Sequence, residues 1–285
     1  MIQASDARHR RWIASLETFA SMVKKQLIVM TRYPVNFVVS FVQIFIIILM
    51  FTFATLMFSP GGTGGGSGNV PTGGIMMFGF ILFMFLSDTL WTIGYNIRWE
   101  QYQGTLESLY LTPASKFASL VSRVTISLVW TGLNVLAALL FVEYALGRLP
   151  FHNLGLAGYI LVMSLSGTFG FGFAFAAYTL LVKESAQMTA NFLQFALLVV
   201  CGMFFPFSAL PSIVLILSRL IPLSYAVDAF RSTLMGYPPG FPELLPIGQE
   251  LVIVTGFGLL MPLLGYVLYK AAERKVRVDG TLAEF

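Results

Sequence analysis

Long stretches without a charged side chain dominate the sequence. Residues 33–87 contain no charge, and four later runs share this property: 124–142, 149–182, 185–218 and 251–269. Because about 20 consecutive apolar residues suffice for a helix to cross the ~30 Å hydrocarbon core of a membrane, each run is long enough for at least one span. The first run is interrupted at 59–74 by two prolines and many glycines, which is typical of a flexible loop between two spans.

This pattern predicts an all-α polytopic membrane protein with six transmembrane helices. The predicted spans are about 35–57, 75–97, 119–142, 156–181, 188–207 and 251–269. They form a transmembrane domain over 35–270, preceded by an amphipathic segment over 1–34 and followed by a basic cytoplasmic tail over 271–285. Ser166, Gly170 and Ala174 recur every four residues and predict a smooth helix-packing face in the fourth span.

The distribution of basic residues predicts the orientation of these spans. Of the 17 Lys and Arg residues, only Arg148, Arg219 and Arg231 fall on the outer side if the N-terminus is cytoplasmic. Since basic residues concentrate in cytoplasmic loops, this asymmetry favours six spans with both termini inside. The net charge of +4 is thereby explained without a nucleic-acid partner.

The N-terminal segment has a different pattern, because apolar residues recur there every three or four positions between charges. Over residues 10–31 the apolar positions are Trp12, Leu16, Phe19, Val23, Leu27 and Met30. Such spacing predicts an amphipathic helix that lies along the inner membrane surface. The alternative is a cytosolic helix packed on another subunit.

Three prolines divide the apolar segment after the fifth span. Pro206, Pro211 and Pro222 leave the stretch Ser212–Ile221, which is too short to cross a membrane. We therefore expect a re-entrant helical hairpin over 206–236 that caps the outer side. Asp228 and Arg231 are three residues apart, as in a local helical ion pair that holds the returning segment.

Composition excludes several classes of function. Hydrophobic residues make up 57% of the chain and charged residues 11%, whereas a soluble domain carries roughly a quarter charged residues. Nucleotide-binding and hydrolase motifs are missing, and a single cysteine, Cys201, excludes an intramolecular disulfide. A water-soluble enzyme is thus excluded as the first interpretation, and the chain is expected to carry no ATPase of its own.

Asp88 is the only acidic residue deep within a predicted span. A charge at this depth costs at least about 2.5 kcal/mol, so it needs a partner or a water-filled cavity. Two interpretations stay open, namely a polar lining in a translocation path and a structural group paired with Arg123 or protonated.

The cytoplasmic segment between spans 2 and 3 combines apolar and acidic residues in a short predicted helix that ends before Pro113. It suits docking into a groove on a soluble partner, although a helix on the lipid headgroups is the simpler alternative. Its informative residues are Glu100, Gly104-Thr105-Leu106-Glu107 and Leu111-Thr112-Pro113. This segment resembles the region before the third span in type-2 ATP-binding-cassette (ABC) export permeases.

A second segment strengthens the resemblance. It reads Gly202-Met203-Phe204-Phe205-Pro206-Phe207-Ser208-Ala209-Leu210-Pro211 and continues through Pro222-Leu223-Ser224-Tyr225-Ala226-Val227-Asp228-Ala229-Phe230-Arg231 to Gly236. It is similar to the family signature at the end of span 5. The likeness extends over essentially the whole chain, with both motifs in the expected order.

The resemblance implies a permease of the prokaryotic cell membrane that pairs with a second copy of itself as a homodimer and binds two copies of a cytoplasmic ABC ATPase. Under this resemblance the chain itself binds no cofactor, because ATP and Mg are bound by the ATPase. It assigns ATPase coupling to the segment 98–116, with Glu100, Gly104, Thr105, Leu106, Glu107, Leu111 and Pro113. Asp88, Phe204, Phe205 and Phe207 become candidates for the substrate path and its outer gate, although the phenylalanines could equally be lipid-facing or core aromatics.

The expected substrate is an amphiphilic molecule, such as a drug-like compound, a natural product or a lipid, because the predicted path is apolar and rich in phenylalanine. Drug-efflux members of the family are the model for this expectation. A polysaccharide exporter and an ATP-independent secondary carrier are the alternatives, and an intramembrane enzyme ranks third because paired catalytic residues are missing.

Overall fold

The computed structural model describes residues 34–58, 72–102, 116–146, 152–182 and 185–279, together with scattered positions between 17 and 32. All regular structure in these parts of the chain is helical, which confirms the all-α class. The helices are α1 (Pro34–Phe58), α2 (Thr72–Tyr102), α3 (Lys116–Leu146), α4 (Leu154–Val182), α5 (Ala186–Val200), a 3₁₀ turn (Phe207–Ala209), α6 (Ser212–Leu220), α7 (Pro222–Leu234) and α8 (Ile247–Asp279).

Two of these helices pass as membrane spans by length and composition within the described residues. They are Leu154–Val182 and Ile247–Val276, and the pair α6–α7, bent by 96°, is a third if it counts as one broken span. The other predicted spans overlap α1, α2, α3 and α5. The six-span topology, the re-entrant placement and the orientation of the termini stay predictions.

The three largest differences between the helix ends and the predicted span ends lie at the C-terminal ends of α2, α5 and α8. Helix α2 runs on to Tyr102 and α8 to Asp279, so both project beyond the predicted inner membrane border and α8 includes part of the predicted tail. Helix α5 ends at Val200 after 15 residues, which is about 22 Å of helix. The predicted span 188–207 therefore contains a non-helical segment at 201–206.

Prolines and glycines explain where the hairpin elements begin and end. Pro206 and Pro211 directly precede the 3₁₀ turn and α6, and Pro222 is the first residue of α7. Proline suits these positions because it lacks the N–H that a first helical turn leaves unpaired. Gly202 (φ 56°) follows α5 and Gly236 (φ 73°) follows α7, where left-handed backbone favours glycine.

Helices α4 and α8 form the most extensive helix pair in the subunit. A Cβ on Gly170 would lie 2.2 Å from the carbonyl carbon of Met261, so the two backbones touch there. Ser166 Oγ donates to the carbonyl oxygen of Gly258 over 2.7 Å. The predicted small-residue face is thus confirmed at Ser166 and Gly170.

Helix α7 lies at the centre of the subunit, where it packs on α2, α4 and α8. Every residue from Leu223 to Leu234 is buried, including Asp228 and Arg231. By contrast, α6 exposes an apolar stripe that includes Ile213, Ile216 and Leu220. The hairpin therefore consists of one internal helix and one surface helix.

The described positions between 17 and 32 are helical, as predicted for the N-terminal segment. Phe19, Val23 and Leu27 line one apolar groove, while Glu17 and Lys25 are exposed. The helix is amphipathic at these positions, and its placement on the membrane surface stays a prediction.

Candidate functional site

The predicted coupling segment lies largely outside the described residues. Glu100 belongs to the last turn of α2, and nothing is described for the remaining predicted coupling residues: Gly104, Thr105, Leu106, Glu107, Leu111 and Pro113. Their role in coupling stays a prediction.

Arg231, in the central helix α7, hydrogen-bonds to the segment that follows α5. Its side chain is completely buried, its Nη2 donates to the carbonyl oxygen of Gly202, and its Nη1 donates to that of Phe205 over 3.2 Å. These carbonyls lie after the end of α5, where no helical N–H can reach them. The guanidinium also lies 5.8 Å from the ring centroid of Phe207. One arginine therefore binds the non-helical segment after α5 at two of its carbonyl groups.

Asp228, also in α7, hydrogen-bonds to the segment that precedes α8. Its Oδ2 accepts hydrogen bonds from the N–H groups of Glu243 (2.7 Å) and Leu244 (2.8 Å). Asp228 and Arg231 thus hold opposite sides of the hairpin through separate hydrogen-bond partners, and the positive charge of Arg231 acts on Asp228 at longer range. The predicted role in holding the returning segment agrees with this geometry, whereas a simple local ion pair does not describe it.

Two further acids, Glu243 and Glu250, join this junction and were missed in the sequence. Glu250 is completely buried in the first turn of α8, next to the Asp228 carboxyl, and its Oε1 accepts the Leu245 N–H over 3.3 Å. Glu243 accepts the Ser208 N–H over 2.5 Å, and its burial raises the pKa of its carboxyl above the ordinary value. The signal for Glu250 was its position at the start of an uncharged helix, where acids stabilise the N-terminus.

The three candidate gate phenylalanines lie in three different environments. The Phe204 ring packs on those of Phe80 and Phe83 in α2, at centroid distances of 6.0 and 5.7 Å. Phe205 is 45% exposed, whereas Phe207 is buried beneath Arg231. Phe205 is the most exposed of the three and Phe204 is partly exposed, whereas Phe207 belongs to the packing of the hairpin.

Asp88 is held by hydroxyl groups of α3. Its Oδ2 accepts hydrogen bonds from Ser127 Oγ (2.5 Å) and Thr131 Oγ1 (3.0 Å), and Ser127 Oγ also lies 2.8 Å from Thr92 Oγ1. Arg123, the predicted partner, is not among the described groups that act on Asp88. The described hydrogen-bond partners of Asp88 are therefore polar and uncharged, and both interpretations of this residue stay predictions.

The amino-acid sequence matches a known family over most of its length. The family model of the ABC-2 type transporters matches residues 17–235, and the chain belongs to this family. It is therefore a transmembrane permease of an ABC transporter, a transport subunit that is not itself catalytic. Members of this family generally work with an ABC ATPase partner. No curated protein matches the chain.

Proposed function

We propose that this permease is the membrane half of an ATP-driven exporter that moves an amphiphilic molecule out of the cytoplasm or the inner leaflet. Support comes from family membership, from the basic cytoplasmic flanks in the sequence, and from the apolar surface of the subunit. The proposed substrates are drug-like compounds, natural products and lipids. In this proposal the protein acts in efflux across a prokaryotic cell membrane.

The observation that carries this proposal is the continuity of α2. The helix runs without a break from Thr72 to Tyr102 and therefore joins the start of the predicted coupling segment to the outer hairpin. Glu100 lies near its inner end, and Gly79, 21 residues earlier, is about 32 Å away along the axis. At Gly79 the α2 backbone touches the backbone of Met203, since a Cβ there would lie 1.8 Å from the Met203 oxygen.

A push at the coupling segment would consequently move the hairpin. In the proposed cycle, ATP binding closes two ATPase subunits, with ATP and Mg held on those subunits, and displaces residues 98–116. Because α2 is one continuous helix, the displacement reaches Met203, which touches Gly79. The neighbouring Gly202 carbonyl then passes it to Arg231 through their hydrogen bond. Hydrolysis resets the arrangement, and substrate moves because the two states bind it differently.

The path is proposed to lie between two copies of the chain, each bound to one ATPase. Helices α1 and α5 present exposed apolar side chains, including Val38 and Ile46 on α1 and Phe192 and Phe195 on α5. These surfaces are available to border a shared path or to contact lipid. In this proposal the exposed Phe205 forms an apolar constriction at the outer end, where exclusion of water would close the path.

The test is reconstitution of the permease in liposomes with the ABC ATPase that copurifies with it from native membranes. ATP-dependent accumulation of a fluorescent amphiphile is expected, and none is expected with an ATPase variant that cannot hydrolyse ATP. Gly104→Trp should block the close approach of the ATPase and reduce transport at least 10-fold. Gly248→Ala is the matched control, because a Cβ at Gly248 meets no atom within 4 Å.

The same experiment separates the exporter from its alternatives. Vigorous transport by the permease alone, driven by an ion gradient, would replace the proposal with a secondary carrier. Transport of a sugar polymer in preference to amphiphiles would assign the chain to polysaccharide export.

A further inference from the structure

Between Met77 and Thr92, where its side chains are described, helix α2 has one partly exposed stripe on an otherwise buried surface. From Met77 to Thr92 its side chains are buried within the subunit, with five partly exposed exceptions. The exceptions are Met84, Ser87, Asp88, Trp91 and Thr92. Their spacing of three and four residues places them on a single helix face, which we call the α2 stripe. The stripe contains the one acidic residue of the span.

Helices α3 and α5 flank the α2 stripe. On one side, Asp88 accepts its hydrogen bonds from Ser127 and Thr131 of α3. On the other side, Trp91 Nε1 donates to Gln194 Oε1 of α5 over 2.7 Å. The carboxylate and the indole are thus both held in position by a neighbouring helix, as expected for groups in a preformed binding site.

The Asp88 carboxylate retains an unused oxygen. Both hydroxyls donate to Oδ2, and no described residue donates a hydrogen bond to Oδ1. Likewise, no positively charged group of the described chain acts on this carboxylate. At mid-membrane depth two hydroxyl donors compensate the charge only in part, so a cation from outside the subunit would be bound favourably.

We propose that Asp88 binds the positively charged nitrogen of the transported amphiphile, so that the substrate class is an apolar organic cation such as a protonated amine. The Oδ1 atom accepts a hydrogen bond from the ammonium group. Trp91, one turn further along the α2 stripe, offers an aromatic face to the cation, and Met84 offers apolar contact one turn earlier. That such a cation is transported rests on the proposed exporter function, whereas its binding at Asp88 does not.

The test measures binding in nanodiscs of neutral phosphatidylcholine, with no ATPase added. The probes are 1-pyrenebutylamine, which is cationic at pH 7, and 1-pyrenebutanol, which has the same apolar body without the charge. Energy transfer from tryptophan to pyrene, corrected with empty nanodiscs, reports binding. The wild-type chain should bind the amine at least 10-fold more tightly than the alcohol.

Asp88→Asn should lose this preference and leave the affinity for the alcohol unchanged, whereas Asp88→Glu should retain it. Glu273→Gln is the matched control, because it removes a carboxylate that pairs with Lys270 near the end of α8. Equal affinity of the wild-type chain for both probes would overturn the proposal, even if the Asn variant fails to fold. A preference for the amine that survives in Asp88→Asn would overturn it as well.

This experiment is independent of the exporter proposal. ATP-driven transport of pyrenebutanol, without any preference for the amine in binding, would leave the exporter in place and remove the cation site. Amine binding that depends on Asp88, without ATP-driven transport, would support the site and count against the exporter.

Discussion

The guanidinium of Arg231 donates a hydrogen bond to the carbonyl oxygen of Gly202, 29 residues earlier in the chain. This bond joins the central helix α7 to the end of α5 and closes the hairpin from inside. A buried arginine is costly unless its donors are used. Here Nη1 and Nη2 donate to two carbonyl oxygens and the negative charge of Asp228 acts on the guanidinium, whereas Nε has no partner among the described residues. The hairpin therefore depends on a polar junction inside an apolar subunit.

Replacing Arg231 by Met should destabilise this junction strongly. The change leaves the carbonyls of Gly202 and Phe205 without donors and Asp228 without its positive neighbour, which costs about 3–5 kcal/mol. Cys201 is the only cysteine and is buried beside the junction, so its reaction with a fluorogenic maleimide during heating reports opening. Arg219→Met on the exposed end of α6 is the control, and labelling of both variants at the wild-type temperature would contradict the prediction.

Gly79→Ala should loosen the contact between α2 and the segment after α5. The new Cβ would lie 1.8 Å from the Met203 oxygen, and a backbone atom cannot move aside cheaply. Overpacking of this kind costs about 1–3 kcal/mol, so the unfolding temperature in detergent should fall.

The control for this change is Gly132→Ala in α3. There the nearest atoms lie 3.7 and 3.8 Å from the added Cβ, in ordinary contact with the Phe85 ring. Since alanine favours helix over glycine by up to about 1 kcal/mol, this variant should be neutral or slightly stabilised. Equal stability of the two variants would show that α2 does not touch the Met203 backbone.

The pairing of α4 with α8 is testable by two substitutions on the same helix. Gly170→Ala places a Cβ 2.2 Å from the Met261 backbone, whereas Gly158→Ala meets nothing within 4 Å. We expect Gly170→Ala to lower the unfolding temperature and Gly158→Ala to leave it unchanged or raise it, as measured by intrinsic tryptophan fluorescence. The opposite order would mean that another face of α4 packs on α8.

Glu243 predicts a pH dependence of stability at the junction between α7 and α8. Burial raises the pKa of its carboxyl above the ordinary value of 4.5, so the folded chain holds this proton more tightly than the unfolded chain. The stabilisation from this group is complete below pH 4.5 and is lost as the pH rises through the folded pKa.

The variant Glu243→Gln removes that titration. Its unfolding temperature should change less than that of the wild type as the pH increases from about 4.5. Unfolding measured at intervals of half a pH unit gives the comparison, and the difference between the two chains isolates Glu243 from its acidic neighbours. Parallel curves for the two chains would refute a raised pKa at this position.

The amino-acid sequence determined the helical class and the positions of the main helices. Long uncharged runs permit little else, because in a membrane only a helix satisfies all of its backbone hydrogen bonds within one segment. Prolines likewise determined where the hairpin elements begin, since Pro211 and Pro222 cannot continue a preceding helix. Local chemistry was sufficient for these features.

Only the tertiary structure decided which partners the polar residues have. The spacing of Asp228 and Arg231 suggested that they bind each other, yet packing directs them to separate segments at 243–244 and 202–205. Asp88 accepts bonds from α3, 39 and 43 residues away. Periodicity along one helix carries no information about which neighbouring helix faces a side chain, and that choice depends on how all helices pack together.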